Sequence, residues 1–600
     1  MSSCITCKKF ILACSLGWGV AAHGMMLFSK LSYHDDMQEL YSVGGTTILG
    51  RWFLGVLGSL EKLVFDMGNM SLPVVNGLLT IVFAGLLCCL IAGMFRIEGR
   101  AELAALSGLM VTIPVVTGLF GFLFTAHFYM LGYLLAGAGA WLITREAEGA
   151  AALSGVEQGD PDCLAKAPCE PEKAVDFFSE DFGEAGREKI EKITTPVAAF
   201  SPICGIAVTA CAAGIYQGTL AVTFTLLVLT LLQREVSEAH PAFLKKGLRY
   251  LGCGAAAAVL YLIIAKACYA AQHLAVPDYA GLSDVGNTGA GEYLRRVVLA
   301  YRETVFPDRT ATYNMFPAHT YTLYLLLLVL AAVMSILVLV RIVRVDGNAK
   351  RALQCLILMV LLPLAMNMIF VLTDAVWIHS LAMYGVTGIF VYVLLLTRWV
   401  TGISMLPTGH TGNVFSKADC GDEGNDISQT GCRGAEGNNI SQDDGSGKAG
   451  KRADRISVLI SAVLLLLALS YVRYDNICYL KLDFMQEQAK SYFTQLAARI
   501  QSADGYEDGM SVVYMNEQSK ESAALTGMDE FSCVITQPYT VNTLINDYAW
   551  RTFMKMWCGF DPPVWQVDDT FDDREDVKAI PRYPAPGSVQ RIENVMVVKF

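Results

Sequence analysis

Runs of about twenty apolar residues recur along the whole chain, and that is the length a helix needs to cross roughly 30 Å of hydrocarbon. Eleven stretches qualify: 10–28, 72–95, 103–120, 121–144, 196–215, 218–232, 248–271, 321–343, 352–372, 376–397 and 456–474. Of 600 residues, 54% are hydrophobic and only 17% charged, which excludes an ordinary soluble domain. The expected fold class is an α-helical polytopic membrane protein, because backbone polar groups in lipid must be satisfied within the segment that crosses it.

Lys and Arg set the expected orientation. Lys8/Lys9, Arg96/Arg100, Arg145, Arg234, Lys245/Lys246/Arg249, Arg341/Arg344, Lys350/Arg351, Arg398 and Lys451/Arg452/Arg455 all fall on one side of the alternation. With that side cytoplasmic, the N-terminus is inside. The loops at 29–71, 272–320 and 373–375, and the C-terminus, are outside. Lys8 and Lys9 before an apolar run imitate a signal peptide, but no small-residue cleavage site follows, so the run is expected to be retained as the first span.

Two inserts break the apolar pattern. Residues 146–195 are rich in Glu, Asp and Pro, with a short amphipathic helix expected near 186–193. Residues 401–450 are Gly, Asn, Asp and Ser with almost no aromatics, the composition of a disordered linker. Both fall on the cytoplasmic side. After the last span the composition turns soluble: helical spacing over 484–500 and 542–557, and strand-like runs at 511–515, 531–537 and 595–600, predict a small α/β domain over 475–600. The stretch 53–66 is too short and too charged at Glu61/Lys62 to span, and is expected as a helix in the membrane interface.

The net charge of -11 gives no basis for nucleic-acid binding. The 17 cysteines lie mostly in apolar runs, where Cys behaves as a small hydrophobe, and the single Cys4-Ile5-Thr6-Cys7 has no second pair to complete a metal site.

The most informative polar stretch is YHDDMQELYSVGGTTILGRW, residues 33–52, which places His34, Asp35, Asp36 and Arg51 in the first outer loop. Ionisable residues clustered between spans are costly to bury and point to a functional site. That stretch lies in a longer run, AAHGMMLFSKLSYHDDMQELYSVGGTTILGRWFLGVLG. Together with NMSLPVVNGLL and the tail RYPAPGSVQRIENVMVVKF, it resembles the bacterial GtrII-like membrane glucosyltransferases. The likeness covers nearly the whole chain except the two inserts, and its most specific parts are the HDD loop, GRW and the C-terminal end. It implies a GT-C type fold, an active site at the exoplasmic face, and a sugar, glucose, donated from polyprenyl phosphate to a cell-envelope glycan. Residues 1–400 are then the transferase module, 451–474 the last span and 475–600 the exoplasmic domain.

The residues fit such chemistry on their own terms. Attack of an acceptor hydroxyl on an anomeric carbon needs a base, and Asp35 or Asp36 supplies a carboxylate. A phosphate leaving group needs cations, and Arg51 and Lys266 are candidates for holding it. His34, Asp374, His379 and Tyr384 are candidates for substrate contact, and Arg295, Arg296 and Arg302 for phosphate or lipid headgroups. The adjacent carboxylates could also take Mg²⁺ or Mn²⁺, although no further ligand set is evident. Metal use stays open, and no other cofactor is indicated. Plainer roles compete: Arg51 as an interfacial anchor, Lys266 snorkelling, and Tyr384 and Trp377 in an aromatic belt. A transporter or flippase is the alternative function, but it predicts inverted repeats and charges at the midplane. No repeat is visible, and most ionisable residues sit at span ends. A receptor would not need eleven spans as an anchor.

Overall fold

The computed structural model describes residues 2–31, 35–38, 47–65, 70–145, 201–238, 241–275, 288–308, 311, 315–316, 318–374, 378–402, 445–515, 549–565, 571 and 573–600. The insert 146–195, residues 403–444 of the insert 401–450, the strand expected at 531–537, and His34 and Trp377 lie outside the described residues; 445–450, expected as linker, are helical.

The helices are α1 Ser2–Phe28, α2 Asp35–Gln38, α3 Trp52–Phe65, α4 Pro73–Phe95, α5 Arg100–Thr112, α6 Pro114–Phe120, α7 Leu123–Thr144, α8 Ser201–Ile215, α9 Thr219–Ser237, α10 Phe243–Ala271, α11 Ala290–Val305, α12 Ala318–Val345, α13 Ala349–Met366, α14 Ile369–Leu372, α15 Gly388–Thr401 and α16 Gly445–Gln501. A terminal unit follows, with β1 Ser511–Met515, α17 Trp550–Cys558, α18 Glu575–Lys578, β2 Val589–Ile592 and β3 Val595–Lys599. Among the described residues, ten helical stretches are long and apolar enough to cross a membrane, and α8 is a shorter apolar helix where the fifth span, 196–215, was expected. The protein is a multi-pass helical membrane protein with a small C-terminal sheet.

Local chemistry explains where the helices depart from the expected runs. The span at 103–120 is broken at Ile113, the residue before Pro114, because the proline ring disfavours a helical predecessor. The run 352–372 carries Pro363; α13 stops at Met366 and one turn resumes at Ile369. The run 376–397 enters through two 3-10 turns, Ser380–Ala382 and Tyr384–Thr387, before α15 begins. The last span has no boundary at 474, since α16 continues unbroken through the helical stretch expected over 484–500.

Helix α5 lies at the centre, buried over nearly its whole length between α1, α4 and α16. The outer helices are apolar on their exposed faces instead, as at Leu248, Val259 and Ile263 of α10 and Val329, Val333 and Ile336 of α12, the surface that lipid requires. Helices α7 and α8 touch at backbone distance: a Cβ on Gly139 would stand 3.1 Å from the Gly205 carbonyl oxygen. Small residues allow such approach where no hydrophobic force drives helices together.

The expected inner residues gather at one end of the bundle, and there they cap helix C-termini, whose last carbonyls lack intrahelical donors. Arg398 donates to the Phe95 carbonyl at 3.0 Å, Arg234 to Thr144 at 2.8 Å, Arg249 to Ile143 and Arg145 at 3.0 Å, and Arg351 to Glu238 at 2.6 Å. Helices α1 and α16 run parallel. Asn476 meets Ala21 (2.9 Å), Tyr479 meets His23 (2.8 Å) and Gln486 meets Lys30 (3.0 Å) in rising order on both.

In the terminal unit β3 lies between β1, which it pairs in parallel, and β2, which it pairs in antiparallel fashion. Its side chains alternate between two cores. Met596 and Val598 join Phe493 of α16 and Trp550 and Phe553 of α17; Val597 packs with Val513, Val577 and Ile580.

Candidate active site

Asp35 and Asp36 lie in one helical turn, α2. Asp36 is fully buried. Lys30 Nζ donates to its Oδ2 at 2.7 Å, and the Phe124 backbone N–H to its Oδ1 at 3.1 Å; the Ser71 hydroxyl also donates to Oδ1. Lys30 donates to Ser71 as well, at 2.6 Å. A carboxylate offers about four acceptor positions, so three donors leave little of Asp36 for anything else. The Phe124 amide is among the first of α7, whose N–H groups have no intrahelical acceptor and favour an anion. Asp35, its neighbour, is only partly buried.

Arg51 follows Gly50, which holds φ +72, a left-handed backbone. A side chain there would stand 2.7 Å from the Tyr261 hydroxyl, so glycine serves both conformation and space. The turn is pinned from two sides: Gln217, in the connection between α8 and α9, donates to the Leu49 carbonyl at 2.8 Å, and the Tyr269 hydroxyl of α10 to the Ile48 carbonyl at 3.0 Å. Arg51 Nη1 donates to the Tyr129 hydroxyl at 2.8 Å. Its guanidinium lies 5.6 Å from the Tyr129 ring centre and 5.3 Å from that of Tyr216, a two-ring cation–π arrangement.

Helix α7 joins the two parts. Its first turn carries the Phe124 amide that holds Asp36, and Tyr129, which holds Arg51, lies five residues on, about 7.5 Å along the axis at 1.5 Å per residue. His379, from the far part of the chain, lies within electrostatic reach of Arg51; burial first and the guanidinium second push its imidazole down to about 4.

The remaining candidates are placed elsewhere. Lys266 is exposed, off the α10 face formed by Tyr261, Ala265 and Tyr269 that packs toward the Arg51 turn, as a snorkelling lysine would be. Tyr384 is a core residue: fully buried, its hydroxyl donates to the Met110 carbonyl at 2.6 Å and its ring stacks on Tyr133 at 4.7 Å. Asp374 lies 3.5 Å from Arg295. The basic cluster is internally neutralised. Arg295 and Arg296 bind Glu292, at 2.7 and 3.0 Å, and Arg302 pairs with the buried Glu303. Those two arginines hold the half-buried Glu292 carboxyl down to about 2. On α11 the buried face carries Arg296, Glu303 and Thr304 while Leu294 and Val298 are exposed, the reverse of a solvated helix. Among the described residues no group of three His, Cys, Asp or Glu side chains gathers as a metal site.

Lys30, Ser71, Tyr129, Tyr216 and Gln217 were not legible as site residues. Only Lys30 carried a signal, as a lone cation between the first apolar run and the HDD motif.

An apolar-surfaced helical bundle with a partly buried arginine and a buried carboxylate held by the same helix, α7, at one end defines a polytopic membrane protein with a candidate site at that end. The chain belongs to the family described as Glucosyl transferase GtrII, whose model matches residues 24–392. That makes it a membrane glycosyltransferase, and the matched segment contains every candidate site residue named from the sequence. No curated protein and no solved structure matches the chain.

Proposed function

We propose that the protein transfers a glucosyl group from a polyprenyl-phosphate donor to a cell-envelope glycan, at the end of the bundle that carries Asp35, Asp36 and Arg51, and that this end is exoplasmic. The observation that carries this reading is the α7 junction, where one helix end holds Asp36 through Phe124 and Arg51 through Tyr129. Both lie within the family-matched segment.

The two aspartates divide the work. Asp36, with three donors already on it, anchors the turn. Asp35 is the base: it takes the acceptor hydroxyl's proton as that oxygen bonds to the anomeric carbon. The bond from that carbon to the phosphate oxygen breaks with its electron pair, and polyprenyl phosphate leaves. Arg51 offers its planar fork to the phosphate oxygens, where negative charge grows in the transition state. His379, a neutral imidazole within electrostatic reach of Arg51, can accept or donate one hydrogen bond to a sugar hydroxyl. The apolar tail lies against the lipid-facing helices.

The test is transfer from purified polyprenyl-phosphate glucose to an envelope-glycan acceptor by the enzyme in liposomes. Asp35→Asn keeps the shape and removes basicity, so turnover falls by about 100-fold to 10,000-fold while donor binding persists. Near wild-type turnover in Asp35→Asn removes this base.

A further inference from the structure

The family match ends at residue 392, yet chain beyond it reaches the HDD turn. Gln486, on the outer half of α16, donates from Nε2 to the Lys30 carbonyl at 3.0 Å. That carbonyl lies past the end of α1 at Phe28, where no helix supplies it a donor. Lys30 is also the residue whose ammonium holds Asp36. Helix α17 packs against α2, and Met37 of α2, fully buried, belongs to the same apolar core as Phe493, Trp550 and Phe553. A single turn of four residues cannot hold itself, because the first helical turn fixes several dihedrals for one hydrogen bond. Its orientation must come from outside.

We propose that Gln486 is a positioning residue for the HDD turn, so that α16 and the terminal unit are working parts of the transferase rather than an appendage to it. This rests on Asp35 being the base. Gln486 fixes the Lys30 backbone, Lys30 fixes Asp36, and Asp36 fixes the direction in which its neighbour presents a carboxylate. A loosened chain leaves Asp35 present but misaimed, and a misplacement of about 1 Å costs a reaction on the order of 100-fold.

The test uses full-length enzyme in liposomes with polyprenyl-phosphate glucose. Gln486→Met keeps the length of the side chain without its donor, and kcat is expected to fall at least 10-fold with the donor KM within twofold of wild type. Gln486→Glu can donate only when protonated, so its kcat relative to wild type should recover as the pH is lowered from 8 to 5. A side chain that only fills space would give no such pH-dependent recovery. Amide exchange supplies a readout independent of activity: residues 28–38 should exchange at least 10-fold faster in Gln486→Met, with α5 and α7 unchanged. Wild-type kcat in Gln486→Met, a Gln486→Glu profile parallel to that of Gln486→Met, or exchange accelerated throughout the bundle each overturns the proposal. Asp35→Asn assayed alongside separates the two readings: if it stays active the base assignment fails, while the exchange result still reports on Gln486.

Discussion

The Arg51 guanidinium acts on the His379 imidazole through its charge, although most of the membrane helices separate the two residues in sequence. Burial and the guanidinium's charge both disfavour the imidazolium and push His379 down to about 4. The ordinary histidine value is near 6.5. Above the unfolded value both states are neutral and the site carries no penalty. As pH falls from about 6.5 towards 4 the unfolded chain takes up a proton that the folded chain refuses, so stability is lost across that window and levels off below it. Melting in detergent should show this loss in the wild type and a flatter profile in His379→Gln. Parallel profiles would contradict the shift.

Arg51 lies between two tyrosine rings, and its planar group suits that slot better than an ammonium does. Arg51→Ala should weaken the donor complex and lower turnover, because the cation acts in both ground and transition states. Arg51→Lys should recover only part of the donor affinity. Steady-state kinetics over a range of polyprenyl-phosphate glucose concentrations checks both, and unchanged KM and kcat in Arg51→Ala would remove Arg51 from the site.

Asp36 is wholly buried, and Lys30, with 30% of its side chain exposed, is its cation. Lys30→Met should destabilise the protein by about 3 kcal/mol, the low end of the cost of stranding a buried charge, because the lysine is partly screened by solvent. Adding Asp36→Asn should restore most of that loss, since it removes the stranded charge. A double-mutant cycle by thermal melting measures the coupling; additive effects would show that the pair contributes nothing.

Gly50 at φ +72 faces the Tyr261 hydroxyl, itself held by Gln217 at 2.9 Å. Gly50→Ala should cost about 1–3 kcal/mol from the left-handed backbone alone, with the crowding of Tyr261 added. Tyr261→Phe in the same chain should return the crowding part and leave the rest. An unchanged melting temperature in Gly50→Ala would show that the turn can relax.

Residues Asp346 and Asp508 are both exposed, one between α12 and α13 at the arginine-rich end, the other after α16. The Lys/Arg distribution places Asp346 inside and Asp508 outside. Cysteines substituted at these two positions, in a background without other reactive thiols, should label oppositely with an impermeant reagent in intact cells. Labelling of both from one side would reverse the assignment of the site to the exoplasmic face.

The sequence by itself determined the membrane class, the approximate position of nearly every span and the end at which arginines collect. These follow from composition and from the cost of burying charge, which are local properties of a stretch of chain. It also marked Asp35, Asp36 and Arg51, because ionisable residues between apolar runs stand out one by one. It could not divide the two aspartates: that Asp36 is consumed by Lys30, Ser71 and the Phe124 amide depends on three segments meeting. Nor could it show that Tyr384 and Lys266 lie apart from the Arg51 turn, since helical spacing states which residues share a face but not what that face meets. The breaks at Pro114 and after Pro363 interrupt runs that hydropathy alone joins. Tyr129 and Tyr216 sit in apolar sequence like any core aromatics; only packing sets their rings beside a guanidinium, because cation–π contact is a relation between distant residues rather than a property of either.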